Sequence, residues 1–195
     1  PTRNKPQYFT GNTVWLTPTE ISSDKIATVS KSRESITEEG LKTSSAKIVP
    51  KDSVLLTSRA TIGRVAIAGK ELTTNQGFAS FICKPDLLNY YLAYWLWTHK
   101  ELIIKNAKGT TFKEISKTTL KELEIPLPSL DEQKEIVSII LNGISLIEKN
   151  ESIIEQLLEQ IRVLDTSIFK QAFEGKLVPQ DPDDHSAELL LEKIL

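Results

Sequence analysis

The sequence predicts an α+β protein: a strand-rich mixed domain with packed helices over residues 1–129, a long coiled-coil-forming α-helix over 130–174, and a tail with a short C-terminal helix over 175–195. Three observations carry this prediction. Short β-branched runs broken by Gly and Pro fill residues 47–84. A capping signal at Ser129 opens a stretch without proline until Pro179. Isoleucine then recurs at every seventh residue from Ile140 to Ile168.

In the first part, Ile48-Val49, Val54-Leu55-Leu56, Ile62, Val65-Ala66-Ile67 and Phe78 to Ile82 are separated by Pro50, Gly63, Gly69 and Gly77, the pattern of short strands joined by tight turns. Between Asp86 and His99 the spacing becomes helical. Leu87, Leu88, Tyr91, Leu92, Trp95 and Leu96 share one face, with Asp86 as the expected cap. Large side chains at i, i+3 and i+4 make this aromatic helix a core element rather than a base-stacking platform.

The second part starts where Pro126 and Pro128 stop the preceding chain and Ser129 with Glu132 forms an S-x-x-E capping box. Gly175 stands where a C′ glycine ends a helix. At 1.5 Å per residue, the helix between them is about 65 Å long. Ile140, Ile147, Ile154, Ile161 and Ile168 repeat without a miss, and Leu157 and Leu164 fall three positions further on. That is the seam of a coiled coil. Gly143 and Asn150 interrupt its second position. Val137, Ile144, Leu158 and Ala172 widen the stripe, so more than one neighbour is expected. This chain contains no second helix of comparable length, so the partner comes from another chain or from another portion of this one.

Composition excludes several classes. With 39% hydrophobic and 26% charged residues the chain is neither disordered nor fibrous. Its most apolar run, Leu87 to Trp97, is too short to span a membrane. A single cysteine, Cys83, rules out an internal disulfide and makes a reducing, cytoplasmic setting the expectation, and no secretory signal pattern is legible at the N-terminus. His99 and His185 belong to no metal-binding arrangement. No G-x-G or Walker-type loop and no G-x-S-x-G elbow occur, so neither a metal, a cofactor nor a catalytic centre is expected.

The net charge of −2 conceals an asymmetry. Residues 1–130 carry 18 Lys and Arg against 12 Asp and Glu, a net of +6, whereas residues 131–195 carry 6 against 14, a net of −8. Two unlike partners are expected, the basic part being the one suited to phosphates. Within it, Thr57-Ser-Arg59-Ala-Thr-Ile-Gly63-Arg64 and Lys108-Gly-Thr-Thr-Phe-Lys113 combine hydroxyls, glycine and cations, a chemistry that fits a sugar-phosphate backbone. Asn75-Gln76-Gly77 has two readings, amides that read adenine or a turn using Asn and Gly.

The runs Ser44-Ser-Ala-Lys47, Val54 to Gly63, Thr74-Asn-Gln-Gly-Phe78, Gly109-Thr-Thr-Phe-Lys-Glu-Ile-Ser116, Ile125-Pro-Leu-Pro-Ser-Leu-Asp-Glu-Gln133 and Gln171 to Pro182 closely resemble the specificity subunit of type I restriction-modification enzymes. The resemblance covers nearly the whole chain, with the motifs in family order. It implies a non-catalytic DNA reader without cofactor: a target-recognition domain for one part of a bipartite duplex target, a conserved spacer helix, and recruitment of methyltransferase and restriction subunits. Family members usually carry two such domains and two helices that pair antiparallel; this chain resembles one half. A half would pair as a two-fold homodimer through Ile140, Ile147, Ile154, Leu157, Ile161, Leu164 and Ile168, reading an interrupted palindrome.

Motifs shared by members that read different sequences cannot themselves be the code. Arg59, Thr61, Gly63, Arg64, Asn75, Gln76, Gly109, Thr110 and Lys113 are therefore assigned to backbone contact or loop architecture, and Gly63, Gly77 and Gly109 to turns that bring the chain close to DNA. Thr19, Ser22, Lys25, Lys31, Arg33, Thr43 and Lys108 are the candidate base readers. The alternative to DNA reading is a coiled-coil interaction adaptor whose basic head binds protein.

Overall fold

The computed structural model describes residues 1–109, 113–179, 183, 191, 192 and 194. The chain forms two compact units, Pro1–Ile139 and Ile140–Leu195. In the first unit, strands β1 (Thr13–Leu16), β2 (Ala27–Val29), β3 (Glu34–Ile36), β4 (Ile48–Val49), β5 (Val54–Thr57), β6 (Val65–Ala68), β7 (Leu72–Thr74) and β8 (Phe78–Phe81) build two four-stranded sheets. One has the order β3-β1-β7-β4 and the other β2-β6-β5-β8. Both are mixed, because β1 runs parallel to β7 and β2 parallel to β6 while the remaining pairs are antiparallel.

The side-chain alternation of β5 and β6 divides the core into two layers. Val54 and Leu56 of β5, with Val65 and Ile67 of β6, pack with Leu92, Ala93 and Leu96 of α2 (Asn89–Thr98), Ile103 of α3 (Lys100–Lys105) and Leu120 of α4 (Lys117–Lys121). Leu55, Ala66 and Ala68 point the other way and meet Val14, Leu16, Val49, Leu72 and Phe78. The strands read as continuous apolar runs because both faces of this sheet are covered. Ala66 and Ala68, being small, allow that second layer to lie close.

Two local expectations are corrected. Ile62 is in a turn rather than a strand: Gly63 there has φ +89°, and Ile62 reaches the helix-side core from the loop. Asp86 does not cap α2, which begins at Asn89. The amide of Leu88 donates instead to Gln133 Oε1 at 2.8 Å, and the amide of Tyr90 to Asn89 Oδ1 at 2.8 Å. The buried face of α2 is accordingly rotated to Leu92, Ala93, Tyr94 and Leu96, leaving Tyr91 and Trp95 half-buried.

Helix α5 (Leu130–Phe173) follows the expected bounds to within one residue. Ser129 Oγ accepts from the Glu132 amide at 3.3 Å. At the other end Gly175 takes φ +67°, its amide donates to Ala172 O at 3.1 Å, and Lys176 N donates to Gln171 O at 2.8 Å, the reciprocal pair of a Schellman motif. The first ten residues of α5 belong to the first unit, where Gln133 and Val137 are buried. Further along, Ile140 is half-buried, while Ile147, Ile154, Leu157, Ile161, Leu164 and Ile168 are between 42% and 58% exposed. The short C-terminal helix expected after Ser186 lies largely outside the described residues. Among the described residues no helix is long and apolar enough to cross a membrane.

Leu56 is fully buried between sheet and helices. Leu56→Ala should destabilise the first unit by about 2–5 kcal/mol, measured by urea unfolding, because the rigid sheet cannot collapse onto the cavity.

Candidate nucleic-acid interface

The two basic loops, one after β5 and one between α3 and α4, meet at Glu114. The loop after β5 folds on itself: Thr57 Oγ1 donates to Thr61 O and accepts from Arg64 N at 3.0 Å, and Gly63 N donates to Thr57 O at 3.0 Å. Ala60 takes φ 58° to complete the turn. The second loop is closed at its base, where Lys108 and Glu114 exchange backbone hydrogen bonds of 2.9 Å in each direction. Gly109 (φ 120°) turns the chain there, and Thr110, with the rest of 110–112, lies outside the described residues. Arg59 Nε donates to Glu114 Oε1 at 2.8 Å, and Ile115 N donates to Ser58 O at 3.1 Å, so the two loops are tied side by side.

Beside this junction is a cleft of about 940 Å³. It is lined by Thr43, Ser44, Ser45 and Lys47 from the segment before β4, Asn75 and Gln76 from the β7–β8 turn, Arg59 and Glu114 from the tied loops, and Ser116 and Lys117 at the start of α4. Among the described residues neither Lys47 nor Lys117 has an ion-pair partner, and both are exposed. The cleft thus presents three cations, several hydroxyls and two side-chain amides, the donor set that suits phosphate and base edges. Glu114 neutralises part of the Arg59 charge and orients its guanidinium.

The remaining sequence candidates are distributed elsewhere. Lys31 and Arg33 border a depression of about 510 Å³ with Glu20. Thr61, Arg64 and Lys113, joined by Lys100, line another of about 410 Å³. Arg64 Nη1 donates to Ile21 O at 2.8 Å and Thr61 Oγ1 to Pro18 O at 3.2 Å, so both fasten the loop to the segment around Pro18. Gly63 is buried, and a Cβ there would stand 2.5 Å from Lys100 Cγ, so the glycine serves the packing of the loop. Gly77 is likewise buried, pressed against Pro18. Asn75 Oδ1 accepts from Gly77 N at 2.9 Å, which decides for the turn reading of that oxygen, while Gln76 is exposed at the cleft. Thr19, Lys25 and Lys108 are exposed, and Ser22 Oγ accepts from Asp24 N. Thr43 Oγ1 donates to Glu39 O at the end of α1 (Glu38–Lys42). Lys47, Lys117 and Glu114 were not singled out by sequence. The only sequence signal of Lys47 and Glu114 is membership of the same short motifs, and Lys117 directly follows one of them.

Glu20 clamps the loop that carries Lys31 and Arg33. Its carboxylate accepts from Thr17 N at 3.0 Å, from Thr17 Oγ1 at 2.9 Å, from Ser32 Oγ at 3.0 Å and from Arg33 N at 2.8 Å. Burial alone would raise its pKa, but these bonds to Arg33, Thr17 and Ser32 outweigh desolvation and hold the carboxyl below its ordinary value.

The model of the type I restriction modification DNA specificity domain matches residues 1–159. The chain belongs to this family. It is 38% identical over 175 residues to the type I restriction enzyme MjaIX specificity subunit of Methanocaldococcus jannaschii, across 89% of this chain and 40% of that protein. Two solved chains share its fold. One, from a structure of complex assembly and conformational transition in the type I R-M system, superposes with a TM-score of 0.67 at 23% identity, over 87% of this chain and 40% of the other. The HsdS subunit from Thermoanaerobacter tengcongensis superposes with a TM-score of 0.56 at 20% identity, over 86% of this chain and 38% of the other. The chain therefore spans about 40% of the length of the curated relative and of the first of these structures.

A carboxyl with a depressed folded pKa contributes stability above its unfolded value and loses it as pH falls through the folded one. The Glu20 contribution is thus complete at neutral pH, begins to decline near the ordinary value of 4.5 and is lost as pH falls through the lower folded value. Glu20→Gln should lower the melting temperature at pH 7 and flatten the decline between pH 5 and pH 3, read by thermal melts across that range.

Proposed function

We propose that this chain is one half of a type I specificity subunit, either a half-subunit or the C-terminal half of a longer one, that reads one part of a bipartite duplex target and performs no chemistry itself. Residues 1–129 act as the target-recognition domain, 130–174 as the spacer helix and 175–195 as the tail. The observation that supports this best is the cleft at the junction of the two family motif loops, where Lys47, Arg59 and Lys117 stand beside Gln76 and a row of hydroxyls. The motif cations hold the duplex by its phosphates, and residues outside the motifs, Arg33 foremost, read base edges. Working in the cytoplasm, the subunit recruits methyltransferase and restriction subunits, with the Glu148, Glu151, Glu155 and Glu159 flank of α5 turned toward methyltransferase rather than DNA.

The exposed helix seam supports a paired assembly. An exposed isoleucine and leucine stripe this long is paired in solution, and in a half-subunit its partner is a second copy related by a two-fold axis. Two identical heads then read an interrupted palindrome.

DNA binding by the full chain should fall steeply with salt in fluorescence anisotropy, and Lys113→Ala or Lys117→Ala should each weaken all duplexes alike and reduce the log–log salt slope by about one unit. Arg33→Ala should cost about 1–3 kcal/mol on the matched duplex and little on one mismatched at the base it reads. Binding that ignores salt would replace this reading with that of a protein adaptor.

Light scattering should give twice the mass of one chain, and the double variant Ile154→Asp with Ile161→Asp should give the single mass, since two carboxylates at the seam leave it unpaired.

A further inference from the structure

Gln133 is the only fully buried polar side chain among the described residues of α5, and every hydrogen-bonding atom of its amide is engaged. Oε1 accepts from Leu88 N at 2.8 Å, and Nε2 donates to Asp86 O and to Pro128 O, both at 2.9 Å. Asp86 and Leu88 lead into α2, whose inner face is packed on β5 and β6, so two of the three bonds connect the first turn of α5 to the core of the head, while the bond to Pro128 closes the turn that enters the helix. Around it the anchorage is sparse. Leu130, Asp131, Glu132, Lys134 and Glu135 are exposed, and one turn later only Val137 is buried on the same face.

An apolar contact such as that of Val137 is non-directional and tolerates sliding and rotation. A planar amide with two donors and one acceptor does not, since moving it leaves buried carbonyls and an N–H unpaired. Buried polar groups of this kind fix register in coiled coils, where apolar residues of similar size leave it loose.

We propose that Gln133 is a positioning residue that sets the register of the long helix on the reading head, and through that the number of base pairs separating the two half-sites a dimer accepts. This rests on the reading of the chain as a dimeric DNA-recognition subunit. Each base pair added between half-sites moves the far one by about 3.4 Å and rotates it by about 35°. A head held rigidly on its helix cannot follow such a change; one hinged at residue 133 can.

The test is selection from duplexes carrying a randomised stretch of 30 base pairs, by the full chain in its wild-type form, as Gln133→Met and as Leu120→Ala. Methionine fills nearly the same volume without the bonds. Leu120 is buried in the head core and makes none of the Gln133 hydrogen bonds, so its loss controls for general destabilisation. The wild type should enrich one interrupted motif with one spacer, disfavouring neighbouring lengths by about tenfold, comparable to a mismatched base pair. Gln133→Met should enrich the same half-sites with spacers spread over two or more lengths, while Leu120→Ala keeps the single length. A single spacer with Gln133→Met, or equal spreading with Leu120→Ala, overturns the proposal. Should Gln133→Met not fold, Gln133→Glu is read identically, because it keeps the acceptor for Leu88 N and loses both donated bonds. Failure of the wild type to enrich any interrupted motif sinks the dimeric reading itself and this inference with it.

Discussion

The double burial of the β2-β6-β5-β8 sheet is the constraint on which the head depends. Strands of only three or four residues hold few ladder bonds, and their stability comes from Val54, Leu56, Val65 and Ile67 pressed on one side and Leu55, Ala66 and Ala68 on the other. With both faces occupied, β5 cannot slip by one residue without exchanging the two sets. The end of β5 is therefore a fixed point. The loop from Thr57 to Arg64 starts from it, Ser58 pairs with Gly77 and Ile115, and Arg59 meets Glu114. The walls of the cleft come from segments far apart in the chain, and two of them, at Gly77 and Ile115, are hydrogen-bonded directly to Ser58 beside that strand end.

Much of this order was legible in the sequence, and the exceptions share a cause. Continuous apolar runs declare a doubly covered strand, and β5 and β6 were readable for that reason, while β8 was readable from the aromatic and apolar residues that follow Gly77. β2 and β3 were not, because three residues with mixed exposure carry no periodicity that rises above a loop. The long helix was readable at both ends, since Ser129 and Gly175 act through their own backbone neighbours. The start of α2 was misread because its partner, Gln133, lies forty-five residues downstream of Leu88. Local capping rules see only local donors.

The candidate site divides along the same line. Asn75, Thr61 and Arg64 have the residue types of a binding surface, and the structure gives each an internal partner: Gly77 N, Pro18 O and Ile21 O. A hydroxyl or guanidinium in a motif is thus as apt to brace a loop as to touch a ligand, and composition cannot tell the two apart. Lys47 and Lys117 illustrate the converse. Neither is conspicuous in its own segment, and they become neighbours of one cleft only because the fold brings the segment before β4 and the start of α4 to its lining.

The charge split acquires a physical sense once the exposed seam is considered with it. An apolar stripe of this length would bring chains together indiscriminately if its flanks were neutral, and a basic flank would draw it to any phosphate backbone. The acidic residues of 131–195 oppose both outcomes, since they repel nucleic acid and leave only a well-fitted helix able to displace water from the isoleucines. In the proposed role the basic head has the opposite requirement, an attraction to duplex that is general first and selective afterwards. Placing the two charges on successive parts of one chain would then keep association through the seam and attraction through the cleft from competing for the same surface.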